Sequence, residues 1–290
     1  MGILWRLAMA GFLHVLLLVG ATEVFPPPFA GGITPEPSQQ FLALLAVGGA
    51  QSLAIAMLVG MSRLRGISLL VVLAVLVAPI WIALPALSMV ITGSPEAPAG
   101  TAAARMVIAG VQTAGWLPVT TWLMSQWWGP AQGDGSASLP PGLAIRVPLV
   151  LLTYLGLRVV AEQVAAVQAP EAAGFFGLAS FDTAHWGMVA LRGPLVALVS
   201  APIVLTSRGG WFARGLVLGF ALITFDAARW ALPTSLLDDA HRWPMLALAS
   251  GVSGLFGVVV AAALGIGADR GSGMGGTTVA QPAVMARRGS

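Results

Sequence analysis

Five ionisable side chains stand out because each falls inside a long apolar stretch. Arg158 and Glu162 share one stretch at i,i+4 spacing, and Asp226 and Arg229 share another at i,i+3. Residues so spaced are neighbours on one helix face, so each pair can be matched on its own helix. Arg192 has no such partner and is left over. Three Arg against two carboxylates leave a net +1, with His185 and Asp182 close by. Two chemistries suit this set. A guanidinium fork fits carboxylate or phosphate, which would make an anion or polar-headgroup site. Alternatively, the same groups form a buried polar network that fixes helix packing, with Arg192 bonded to backbone carbonyls. The candidate ligand-binding residues are Arg158, Glu162, Arg192, Asp226, Arg229 and His185.

Composition removes most covalent chemistry. The 14 Lys and Arg residues are all Arg. Without Lys there is no retinal or pyridoxal Schiff base and no P-loop lysine. Without Cys there is no disulfide, thiolate metal site or thiol nucleophile. His14, His185 and His241 are too scattered for a bis-His haem pair or a zinc helix. The sequence therefore points to no metal, no cofactor and no catalytic residue. The net charge of +3 places Arg at membrane edges and implies no nucleic-acid partner.

The elements that must position these charges are spans. The 290 residues are 57% hydrophobic and 9% charged, with a mean hydropathy of +0.89. Soluble domains carry roughly 25% charged residues, so this surface is made for lipid. Eight stretches are long enough to cross a bilayer: 4–24, 41–61, 67–91, 105–126, 146–167, 185–205, 214–235 and 244–266. None alternates like a strand, so an all-α polytopic bundle is expected rather than a β-barrel. The first stretch also has a signal-peptide look, ending in Val19-Gly20-Ala21.

Arg6, Arg63, Arg65, Arg146, Arg208, Arg214, Arg270, Arg287 and Arg288 share one side if the N-terminus is cytoplasmic. The other side holds Glu23, Glu36, Glu96, Glu171, Asp182, Asp238 and Asp239, with Arg105 and Arg242 as its basic exceptions. The positive-inside rule then puts both termini in the cytoplasm. In that orientation all five intramembrane charges lie in the outer half of the bilayer, where each needs a partner or water. The preference for Ala, Gly, Val, Pro and Arg over Ile, Asn and Lys suggests a GC-rich genome and a bacterial inner membrane. A Pro-rich segment, 25–40, and an apolar loop, 170–183, read as interfacial. His14 lies alone in mid-span, where interhelical bonding is the ordinary role. Pro79, Pro85, Pro118, Pro194, Pro202 and Pro233 predict kinks.

The chain also reads as a duplication. Gly2–Val24 aligns with Gly142–Val164 through Gly2/Gly142, Arg6/Arg146, Leu17/Leu157, Val19/Val159, Ala21/Ala161 and Val24/Val164. Spans three and seven both start after Arg-Gly (Arg65-Gly66, Arg214-Gly215) and both end in Ala-Leu-Pro (Ala83-Leu84-Pro85, Ala231-Leu232-Pro233). The expected organisation is a four-helix half at 1–126, a cytoplasmic linker at 127–143, a second half at 144–267 and a flexible tail at 268–290. Four spans per half imply a parallel 4+4 repeat about the membrane normal.

Three fragments resemble the rhomboid intramembrane serine proteases: Trp5-Arg6-Leu7 with Phe12-Leu13-His14, Gly251-Val252-Ser253-Gly254, and Ala184-His185-Trp186-Gly187. The resemblance would make Ser253 a nucleophile and His185 its base. Here the Ser motif follows the His motif, the reverse of that family's order.

The leading expectation is a carrier or permease for a small polar or anionic solute. The alternative is a non-catalytic structural or accessory membrane subunit, with an intramembrane protease behind both. The lipid bilayer is the expected partner, with other membrane subunits or a solute beside it.

Overall fold

The computed structural model describes residues 2–24, 37–80, 84, 99–128, 142–168, 183–227 and 239–266. Among these the regular structure is helical, apart from one isolated antiparallel bridge. The helices are α1 (Ile3–Val24), α2 (Pro37–Met61), α3 (Gly66–Ala78), α4 (Ala99–Trp128), α5 (Leu143–Gln168), α6 (Thr183–Thr206), α7 (Trp211–Leu222) and α8 (Asp239–Gly265). Helix α7 runs on into a π-helical turn, Ile223–Ala227. Six of the eight coincide with apolar stretches, whereas α3 and α7 cover only the first part of 67–91 and 214–235. Four segments are long and apolar enough to cross a membrane: Phe41–Met61, Ala144–Val167, Trp186–Thr206 and Trp243–Gly265. Ile3–Leu17 and Gly66–Ala78 are shorter apolar helices.

Apolar residues surround these helices instead of forming one stripe, the pattern of helices with no watery face. Their outward ridges are bare and large. Leu4, Phe12 and Leu16 on α1, and Ile145, Leu149, Leu152 and Val160 on α5, are more than half exposed. Such ridges are compatible with contact to lipid. The inward faces form one continuous buried cluster that reaches from Ala10 to Leu264.

Helix α1 packs on α2 and α4, α2 on α4, and α3 on α4. In the same way α5 packs on α6 and α8, α6 on α8, and α7 on α8. Between the two sets, α2 meets α7 and α3 meets α6. The sets are also clipped together where α2 and α6 end. The Arg63 amide donates to the Thr206 carbonyl at 2.9 Å, and the Arg208 amide donates to the Met61 carbonyl at 2.7 Å. These bonds flank the antiparallel bridge between Ser62 and Ser207.

Each set has an aromatic joint seated on a glycine. His14 of α1 lies edge-on to Trp116 of α4, with centroids 5.0 Å apart. A Cβ on Gly48 of α2 would fall 2.8 Å from the His14 ring, so the ring needs a hydrogen there. Tyr154 of α5 likewise packs on Phe256 of α8 at 4.7 Å, and a Cβ on Gly193 of α6 would fall 2.7 Å from the Tyr154 ring. His14 and Tyr154, and Trp116 and Phe256, stand at the same offset as Arg6 and Arg146. The Arg pair also bonds alike: Arg6 Nη1 donates to the Leu123 carbonyl of α4, and Arg146 Nη1 to the Ala263 carbonyl of α8.

The segments 25–36, 169–182, 129–141 and 267–290 lie outside the described residues, and with them most of the expected interfacial loops, linker and tail.

Candidate polar site between the helices

Arg192 sits midway along α6, with a side chain only 5% exposed. Its Nη2 forms an ion pair with Oδ1 of Asp226 in the π turn. The other carboxylate oxygen, Oδ2, accepts a 2.9 Å hydrogen bond from Ser253 Oγ of α8. One carboxylate therefore ties three helical elements together. The Asp226 side chain keeps 21% of its surface exposed.

Arg192, which has no partner at helical spacing on its own span, thus finds one across the helices at Asp226. The π turn is the physical reason. It inserts extra backbone into the helix, so side chains within and after it leave the regular 3.6-residue register. Asp226 stands in this turn and meets α6 and α8. Arg229 itself lies outside the described residues.

A second polar contact holds the same turn from the other set of helices. Gln51 of α2 donates from Nε2 to the Thr224 carbonyl at 3.0 Å, in a buried setting. Thr224 Oγ1 donates back to the Ala221 carbonyl at 3.0 Å. Phe225 lies 6.3 Å, centroid to centroid, from Trp116 of α4. The turn is thus gripped by α2, α4, α6 and α8.

The remaining sequence candidates lie apart from this description. Arg158 is on α5 and partly buried. Glu162 follows one turn later on α5, and His185 lies near the start of α6, about two turns before Arg192. The side chains of Glu162 and His185 are outside the described residues. Of the six candidates, the structure brings Arg192 and Asp226 together. Ser253 and Gln51 were missing from the candidate set. Gln51 could be singled out only as a neutral polar residue in an apolar stretch. Ser253 drew notice only as part of its Gly251-Val252-Ser253-Gly254 fragment.

No family model matches this chain, and no curated protein or solved structure matches it. The three rhomboid-like fragments thus have no support beyond themselves. Ser253 donates its hydroxyl hydrogen to Asp226. Among the described residues, no three of His, Cys, Asp and Glu come together as a metal set would.

A cavity described in the structure lies elsewhere, at the clip between α2 and α6. Leu58, Met61, Ser207 and Arg214 are among its lining, and its volume is about 10 Å³, room for a single water.

Proposed function

We propose that this chain is a non-catalytic integral membrane protein that acts as a structural or accessory subunit. In this reading the Arg192–Asp226–Ser253 network is a strut inside the bilayer. The observation that carries it is the pairing of a buried guanidinium with a carboxylate from another helical element. A charge in the bilayer core normally faces protein and a partner, and Arg192 does both. Breaking such a pair is costly, which gives the network value for packing whether or not a solute binds.

Several further features belong to the same proposal. The chain spans the membrane eight times, with both termini on the Arg-rich cytoplasmic side of a bacterial inner membrane. It is built from two parallel four-helix halves, 1–126 and 144–267. The repeated helix pairings, the two aromatic-glycine joints and the self-complementary clip at Ser62 and Ser207 support the duplication.

A carrier for a small polar or anionic solute is the second reading. The partial exposure of the Asp226 carboxylate favours it. So do the π-type openings in both α3 (Pro79–Ile80) and α7, since π turns often accompany functional sites.

The native chain has no Cys, so one introduced thiol can report water. Met188 is buried on α6, one turn before Arg192. In native membranes, M188C should resist a membrane-impermeant maleimide and react only after denaturation. Rapid labelling would reveal a water-filled route to Arg192 and replace the strut with the carrier.

A further inference from the structure

We propose that the clip joining α2 and α6 holds a phosphate-bearing anion, supplied by the headgroup of an anionic phospholipid. The lipid source rests on the membrane reading above, whereas the phosphate chemistry rests on the side chains. The bridge pairs Ser62 with Ser207, which sets Arg63 opposite Thr206 and Arg208 opposite Met61, so the two Arg flank the bridge on a diagonal. Arg65 is close enough to feel Arg208. Burial, and after it the Arg208 charge, holds the Arg65 guanidinium below its ordinary value. The two connecting segments, 62–65 and 207–210, contain no Asp or Glu. Three guanidinium groups are thus gathered by two connections that supply no counter-charge of their own.

Their bonding separates their roles. Arg65 Nη1 donates to the carbonyls of Val59, Ser62 and Leu64, so Arg65 closes the end of α2. Positive charge is favoured there by the helix dipole. Arg208 differs. Its Nε and Nη2 are buried and have no acceptor among the described residues. Those two N–H groups form one edge of the guanidinium fork, the edge that takes two oxygens of a carboxylate or phosphate in parallel. Leaving buried donors unbonded is unfavourable, so turning that edge toward a surface oxyanion recovers the missing bonds. The adjoining cavity is too small for phosphate, which places the anion at the surface beside Arg63. Both connections follow directly on apolar helices, and lipid phosphates lie at that boundary.

The test uses the full chain purified in detergent, with lipid retention read by native mass spectrometry. Thermal melting is then followed with added phosphatidylglycerol, phosphatidylcholine or inorganic phosphate. Wild type should retain phosphatidylglycerol in preference to phosphatidylcholine and be stabilised by it. Arg208→Gln should lower that retention at least about fivefold, with Arg208→Lys recovering part of it. If inorganic phosphate alone stabilises wild type but not Arg208→Gln, the site stands with a soluble anion as its source. Equal retention by wild type and Arg208→Gln, with no response to phosphate, would overturn the proposal. Should Arg208→Gln fail to fold, Arg63→Gln decides: retention lowered about twofold supports the site, and unchanged retention overturns it. The strut reading fails separately, on labelling of M188C.

Discussion

His14 and Tyr154 occupy matching places in the two sets of four helices, each resting on a glycine of the next helix. The residue before that glycine is Val47 in the first set and Arg192 in the second. The aromatic-glycine joint is therefore common to both, and the ion pair is peculiar to one. A second difference lies at the point where α3 and α7 open. In the first set Pro79 stands there, with φ −63° and ψ −40°, and its missing N–H interrupts the helical ladder by covalent means. The π turn that follows α7 has no proline, and bonds from Gln51, Arg192 and Ser253 hold it. Proline imposes locally in α3 what a network of side chains maintains in α7. The charges then need no solute to explain them, since they hold a turn that no covalent constraint holds.

The largest way to break this comparison is to remove Asp226. Asp226→Leu should destabilise the protein by about 3–5 kcal/mol, because it leaves Arg192 buried and unmatched. Thermal melting in detergent should show a lowered midpoint. An unchanged midpoint would mean that the second set, like the first, stands without the pair.

A smaller effect tests what the sets share. Gly48→Ala and Gly193→Ala should each cost about 1–3 kcal/mol, as a methyl forced against a packed ring does. The two losses should be of similar size. A loss at Gly193 alone would show that the joint in the first set is loose, and the parallel between the sets would weaken.

Thr224→Pro sharpens the comparison with the smallest expected change. Proline inside an ordinary helix costs about 3 kcal/mol or more. At a turn already open, the cost should fall below about 1 kcal/mol. A full helix-interior penalty would show that the two openings are unlike.

Much of the fold was legible from residue type alone. Apolar runs of about 20 residues, bounded by Arg and Pro, marked the eight helices, because such a run has few other stable structures. Arg6 and Arg146 were legible as a pair because sequence preserves their offset. The carbonyls they bond were not, since those depend on where α4 and α8 pass. The charged residues of the site were also evident, as an ionisable group in an apolar run is conspicuous. Which partner Arg192 takes was left open, because that depends on how α6 meets the π turn Ile223–Ala227, whose residues carry no proline or glycine to announce it. Ser253 and Gln51 were hidden for a different reason. A neutral polar residue becomes a site residue only through what lies opposite, and that is fixed by helix crossing.

The most direct test of the strut is a double-mutant cycle on Arg192 and Asp226. Arg192→Met and Asp226→Leu are made singly and together, and unfolding is followed in the same detergent. Apolar replacement of a whole buried pair is often neutral, whereas loss of one partner costs about 3–5 kcal/mol. The strut account predicts a large loss in each single variant and recovery of most of it in the double. If Arg192→Met melts at or above the wild-type midpoint, and the two changes simply add, Arg192 is not held by Asp226 in the working protein. The pair would then belong to a site kept ready for an anion.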